Sequence, residues 1–168
     1  LLYYNYVRFS NPLDFGYATV NGAEWLVGNA RKYGVFSSHF IPINLKTMFV
    51  NVQTNIIAQC NYFLPRGQGV AIFFFSPAFL YLFRKFKRSF WYIGCWISVL
   101  LSIAILSLYH NNGAIQITYR YISDFLVPVV MILAGNAENR ISTPFKALIT
   151  ISIFISYYGI VSWFRGPC

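Results

Sequence analysis

The sequence predicts an all-α fold, a polytopic membrane helix bundle of about four transmembrane helices plus an exterior amphipathic helix. Three observations carry this expectation. The 168-residue chain is 57% hydrophobic and 20% aromatic yet only 10% charged, whereas a soluble domain carries about 25% charged residues. Its apolar residues collect into uncharged stretches of membrane-crossing length, and its cations collect between those stretches. With a mean hydropathy of +0.53, the composition cannot coat a water-facing surface. Abundant aromatics and low charge exclude disorder. Three cysteines without paired spacing exclude a disulfide scaffold.

Thirteen Lys and Arg against four Asp and Glu give a net charge of +9. In a soluble protein this balance would suggest nucleic acid. Here the cations separate apolar runs and form no nucleic-acid module, so their expected partners are membrane lipids. No signal peptide is visible. Leu1-Leu2-Tyr3-Tyr4 reads as the tail of an apolar helix already under way. The expectation is therefore the C-terminal part of a larger membrane protein, partnered by the N-terminal remainder of the same chain.

Residues 1–66 read as an exterior loop region. Asn11 to Gly16 is punctuated by Pro and Gly and predicts a turn or re-entrant loop. Leu45, Met48, Phe49, Val52, Ile56 and Cys60 recur at helical spacing, which predicts an amphipathic helix near 43–62 lying in the outer interface. Pro65-Arg66-Gly67 then turns the chain into the membrane region, 67–165.

Four spans are expected there, at about 67–83, 90–109, 120–135 and 145–164. The first holds Pro77, which predicts a kink. The second is the clearest: Trp91, Tyr92 and Trp96 near one end and Tyr109 at the other form an interfacial aromatic belt. The third carries Asp124 near its start, and the fourth carries Tyr157, Tyr158 and Trp163 near its far end. Arg84, Lys85, Lys87 and Arg88 place loop 84–89 on the cytoplasmic side. Two spans later, Arg140 and Lys146 give loop 136–145 the same sign. Loops 1–66 and 110–119 are then outside.

An ionisable group at membrane depth is a functional-site hypothesis by default. Asp124 follows Arg120 by four residues in Tyr119-Arg120-Tyr121-Ile122-Ser123-Asp124. One reading is structural: Ser123 or Asp124 caps a helix start and Arg120 pairs with Asp124. The other is functional: the Arg120 guanidinium meets the phosphate of an anionic ligand, with Tyr119 and Tyr121 as walls. Arg66 and Arg8 lie in the same exterior layer, either as members of a pyrophosphate clamp or as snorkelling anchors. Asp14 is either a general base or a turn residue. Glu24 has no evident partner. His39 and His110 are isolated, and no Cys/His cluster, paired carboxylates, Gly-rich phosphate loop or nucleophile elbow occurs, so neither a metal site nor a cofactor is expected in this segment. Cys60 and Cys95 fit apolar packing.

Two stretches carry a resemblance. Asn5-Tyr6-Val7-Arg8-Phe9-Ser10-Asn11-Pro12-Leu13-Asp14-Phe15-Gly16-Tyr17 resembles the N-Y-x-R-F-G-x-P-x-E-F-G-Y segment of bacterial GT-C-type glycosyltransferases, the membrane mannosyltransferase-like or arabinosyltransferase-like proteins. Tyr119-Arg120-Tyr121-Ile122-Ser123-Asp124-Phe125-Leu126-Val127-Pro128 resembles their Y-R-Y-x-x-D-F-L-P helix start. Ser10 stands where that pattern often has Gly, and Asp14 where it often has Glu. The resemblance implies a transferase in the bacterial inner (cytoplasmic) membrane. It would take a sugar from a polyprenyl-phosphate-sugar on the outer face, with Arg120, Tyr119 and Tyr121 beside the carrier phosphate. The catalytic acid of that family lies in a first exterior loop upstream of this chain, so Asp14 is not that acid, and any divalent metal belongs to the full-length parent. The competing expectation is a non-enzymatic polytopic protein, either a transporter or flippase half or a structural subunit.

Overall fold

In the computed structural model, the residues described are 2–12, 16, 24–57, 62–113, 116–137 and 141–165, without the side chains at 25, 26, 53–57, 62–68, 163 and 165. The chain is mostly helical. Two short helices, α1 (Leu2–Phe9) and α2 (Glu24–Tyr33), precede a 3₁₀ turn, Ser38–Phe40, and helix α3 (Ile41–Phe49). A hairpin of β1 (Val52–Ile57) and β2 (Tyr62–Val70) follows. Next come α4 (Ile72–Phe75), a 3₁₀ helix Pro77–Phe83, and α5 (Phe90–Leu108). A second 3₁₀ helix, Arg120–Phe125, runs into α6 (Leu126–Ala137), and α7 (Thr143–Arg165) ends the described chain.

Three segments are long and apolar enough to cross a membrane: Phe90–Leu108, Arg120–Ala137 and Thr143–Ser162. The 19 residues of α5 reach about 28 Å at ~1.5 Å per residue, close to the hydrocarbon thickness. Ile97, Leu100, Leu101 and Ile105 of α5 point outward, each more than half exposed. Such a surface suits a membrane-spanning helix.

The expected first span, 67–83, is not one helix. Gly69 adopts φ +81° and keeps residues up to Val70 in the hairpin. Then α4 lasts a single turn and stops at Ser76, which is extended (φ −131°, ψ 82°), because a residue before proline is driven out of the helical region. Pro77 therefore breaks the segment rather than kinking it. Even so, the chain passes from one end of the bundle to the other here. At its start Val70 N–H donates to Ile117 O at 3.0 Å. At its far end Arg84 Nη1 donates to Ser142 Oγ at 3.1 Å. Backbone at this depth must be satisfied by protein. Ser76 N–H reaches Ile72 O at 2.9 Å, Phe79 N–H reaches Ser76 O at 3.0 Å, and Ser152 Oγ of α7 accepts from Ala78 N–H at 3.0 Å.

The expected amphipathic helix at 43–62 is also corrected. It stops at Phe49, and the chain continues as β1. Val52 and Ile56 satisfy a period of two as well as a helical one, and β-branched residues favour the strand. β1 pairs antiparallel with β2, Val52 opposite Val70 and Ile57 opposite Tyr62, with an irregularity between Val52 and Thr54. Pro65 is tolerated because a two-stranded sheet has only edge strands. The buried face of α3 differs too. Asn44, Thr47 and Met48 are buried, whereas Leu45 is exposed. The polar face turns inward because Asn44 has backbone to bind there.

The core joins Met48, Tyr92, Val99, Tyr119, Phe125, Val129 and Ile132. A smaller cluster stacks the Tyr81 ring on Phe145 at 4.0 Å between centroids. Polar ties close both ends of the bundle. At one, Asn136 Nδ2 donates to the carbonyls of Tyr81 (2.9 Å) and Leu82 (3.0 Å). Tyr92 Oη donates to Asn136 Oδ1 at 2.9 Å and to Lys85 O at 2.8 Å. At the other, Asn44 Nδ2 shares its two N–H groups among the carbonyls of Leu106, Ser107 and Tyr109 at the end of α5. Loop 84–89 and the start of α7 thus share one end, and α3 shares the other with residues 109–119.

Near the N-terminus, Ser10 closes α1 at φ 57°, a left-handed conformation that glycine adopts without strain. Asn5 Nδ2 donates to Pro12 O at 3.2 Å, which draws the turn after α1 back onto the helix. Asp14 lies outside the described residues. Glu24 does have a partner, Arg31 at 3.1 Å, two helical turns on along α2. The pair is exposed and worth less than about 1 kcal/mol.

Candidate functional site

The segment 109–121 positions the candidate residues. Gln116 is buried; its Nε2 donates to Asn112 O at 3.0 Å and its Oε1 accepts from Arg120 N–H at 3.3 Å. That bond satisfies one of the orphan donors at the start of a helical segment. Two glycines make room for it. A Cβ at Gly113 (φ +90°) would collide with the Gln116 side chain, and one at Gly69 (φ +81°) would crowd it at 3.0 Å. Gln116 was not singled out in the sequence, where an isolated Gln between apolar residues carries no motif.

Arg120 is exposed and stands at the start of the second of the three membrane-length segments. Its Cζ lies 5.1 Å from the Tyr121 ring centroid and its Nη2 donates to Tyr121 Oη at 3.3 Å. The Tyr121 ring meets Tyr109 at 6.1 Å and Tyr119 at 5.6 Å. The guanidinium therefore rests on an aromatic platform, a cation–π arrangement that holds the charge while leaving its other N–H groups open. Tyr119 is 1% exposed. It is core packing beneath the platform rather than a wall that a ligand touches, and burial, with Tyr121 and Asp124 adding to it, pushes its phenol pKa up.

Asp124 is exposed and accepts from Ser123 Oγ at 3.3 Å. Among the described residues no carboxylate lies within ion-pair distance of Arg120, so the pairing of Arg120 with Asp124 is not formed. The reason is local geometry. Residues 120–125 are 3₁₀, with about three residues per turn, which stacks Ser123 over Arg120 and rotates Asp124 about a third of a turn away. Ser123 Oγ accordingly donates to Arg120 O at 3.0 Å.

Arg8 stays on its own helix. Its Nη1 donates to Tyr4 Oη at 3.2 Å and its Cζ lies 5.2 Å from the Phe9 ring centroid. Arg66 falls in β2, and its side chain lies outside the described residues. The open group that the structure brings together is thus Arg120, Tyr121 and Asp124. Among the described residues no three His, Cys, Asp or Glu side chains gather into a set that could hold a metal ion. Cys95 is buried, its Sγ 4.0 Å from Met131 Sδ.

His110 adjoins the platform, its ring 4.7 Å from that of Tyr109. It is buried, and desolvation lowers its pKa below the usual 6.5. In the unfolded chain it protonates near 6.5. Between that value and its lower folded pKa the unfolded state binds more protons, so stability is full above pH 6.5 and falls as the pH drops below it. Thermal unfolding in mild detergent should give a lower Tm at pH 5.5 than at pH 7.5, and H110F should remove most of that difference.

No family model, curated protein or solved structure matches the chain. The functional reading therefore rests on the geometry above.

Proposed function

We propose that the chain is part of an integral membrane glycosyltransferase that moves a sugar from a polyprenyl-phosphate carrier to an acceptor at the outer face of a bacterial inner membrane. In this reading the end of the bundle bearing Arg84 to Arg88 is cytoplasmic. The observation that supports it is Arg120: an exposed guanidinium at the end of a spanning segment, laid on Tyr121 and not neutralised by Asp124. A carrier lipid presents its phosphate at the depth where such a group sits. A guanidinium meets phosphate with paired, charge-assisted hydrogen bonds. Asp124, one-third of a turn away, would face the acceptor side of the same phosphate.

In the full-length enzyme R120A should lower turnover of a polyprenyl-phosphate-sugar at least tenfold, and R120K should restore only part of it because an ammonium cannot make the bidentate contact. A rate unchanged in R120A at normal expression would remove Arg120 from the site. One observation favours a second reading, transport: the crossing at 72–83 is broken at Ser76-Pro77, and transporters place discontinuous helices at mid-membrane depth. Uptake of a labelled substrate by vesicles containing the full-length protein, without any sugar transfer, would support that alternative.

A further inference from the structure

A groove of about 310 Å³ runs along the bundle between α3, the broken crossing 72–83, α5 and α6. Phe73, Phe79, Phe83, Trp96, Val99 and Ile103 are among its walls, and no polar surface lines it. A ligand with hydrogen-bonding groups gains nothing there. At roughly 30 Å³ for a water-sized group, it has room for on the order of ten chain carbons, which is one acyl chain rather than a folded polypeptide segment.

The groove runs from Phe49, Ile72 and Ile122, at the end that bears Arg120, to Leu82 and Phe83 at the basic end. Trp96 and Ile103 set it between six and thirteen residues along α5 from Phe90, about 9 to 20 Å deep at ~1.5 Å per residue. Its lower wall includes Leu82 and Phe83, and the next residues are Arg84, Lys85, Lys87 and Arg88. Phe83, Phe86 and Phe90 are each about two-thirds exposed or more and flank this cluster with interfacial aromatics. Among the described residues of this end, Lys146 adds another cation and no carboxylate occurs.

We propose that this groove is a binding site for an anionic phospholipid of the leaflet at the basic end, its headgroup held by the Arg84–Arg88 cluster and one acyl chain lying against Phe83, Trp96 and Val99. Charge complementarity selects the headgroup, since each cation near an anionic surface contributes attraction, and the apolar wall accepts the chain. The headgroup cluster lies at the opposite end of the groove from Ile122, and a quenching readout needs no sugar transfer, so the proposal can fail or stand apart from the transferase reading.

The test uses the full chain in phosphatidylcholine vesicles containing 5 mol% of either dibrominated phosphatidylglycerol or dibrominated phosphatidylcholine, on the order of one lipid in twenty so that the bulk contact is equal. Bromine quenches tryptophan on contact, and Trp96 is the reporter in the groove wall. Brominated phosphatidylglycerol should quench at least twofold more than its zwitterionic counterpart. The excess should vanish in W96F, in the R84Q/R88Q double variant, and in V99F, which fills the groove. Equal quenching by the two lipids in the unaltered protein would overturn the proposal, because it means a neutral chain or none in the groove. An excess that survives W96F would overturn it as well, by placing the anionic lipid at the interfacial tryptophans alone.

Discussion

Replacing Asn136 by leucine should destabilise the protein by about 2–3 kcal/mol and lower its Tm in mild detergent by roughly 5–10 °C. Asn136 is 2% exposed and sits in the last turn of α6, where its amide joins three elements. Its Nδ2 holds the carbonyls of Tyr81 and Leu82 at the end of the 3₁₀ helix 77–83, and its Oδ1 takes the Tyr92 hydroxyl of α5. Carbonyls at a helical C-terminus have no partner of their own, and the burial of Asn136 keeps water from replacing it. Tyr81 O also accepts from Arg84 N–H at 3.3 Å, so in N136L it keeps one bond, while Leu82 O loses its side-chain donor outright. Y92F should cost less, about 1 kcal/mol, and its effect should not add to that of N136L because both act on one network. Unfolding followed by circular dichroism checks both. A loss under about 0.5 kcal/mol for N136L would mean that the broken crossing is held by packing alone.

N44L should have a comparable effect at the opposite end, about 2–3 kcal/mol. Asn44 is 1% exposed, and its Nδ2 lies 3.2, 2.9 and 2.7 Å from the carbonyls of Leu106, Ser107 and Tyr109. Leu108 O is met separately, by Ser37 N–H at 2.8 Å. The segment 37–44 therefore satisfies the end of α5, and helix α3 is anchored through that cap. The variant should lose stability and also expose residues 34–51 to protease while α5 to α7 remain protected. N136L should not produce that local cleavage, since its network lies at the other end. Uniform cleavage in both variants would show that the two ends unfold together.

Both asparagines show where sequence reading stops. Ionisable residues within apolar runs stood out, because their burial cost is large whatever the neighbours. A neutral amide carries a smaller cost and no charge to place, so Asn44 and Asn136 looked like tolerated polar positions. Only the contacts reveal that each binds carbonyls from another part of the chain, more than fifty residues away in both cases. Gln116 was hidden for the same reason. Of the candidate residues, Arg120 meets Tyr121 while Asp124 meets Ser123, partners that a regular helix would not supply.

The sequence by itself determined the three segments long and apolar enough to cross a membrane, in α5, α6 and α7, and the loop in which the basic residues gather. These depend on length, hydropathy and local charge, which are additive along the chain. Tertiary structure alone decided that 72–83 runs between the two ends of the bundle in pieces, that β1 replaces the second half of the amphipathic helix, and that the polar face of α3 turns inward. A broken crossing is viable only where Ser152 and Asn136 accept and donate across helices, and a strand only where β2 supplies a ladder. Those are pairings between distant residues, and no period or composition along one segment encodes them.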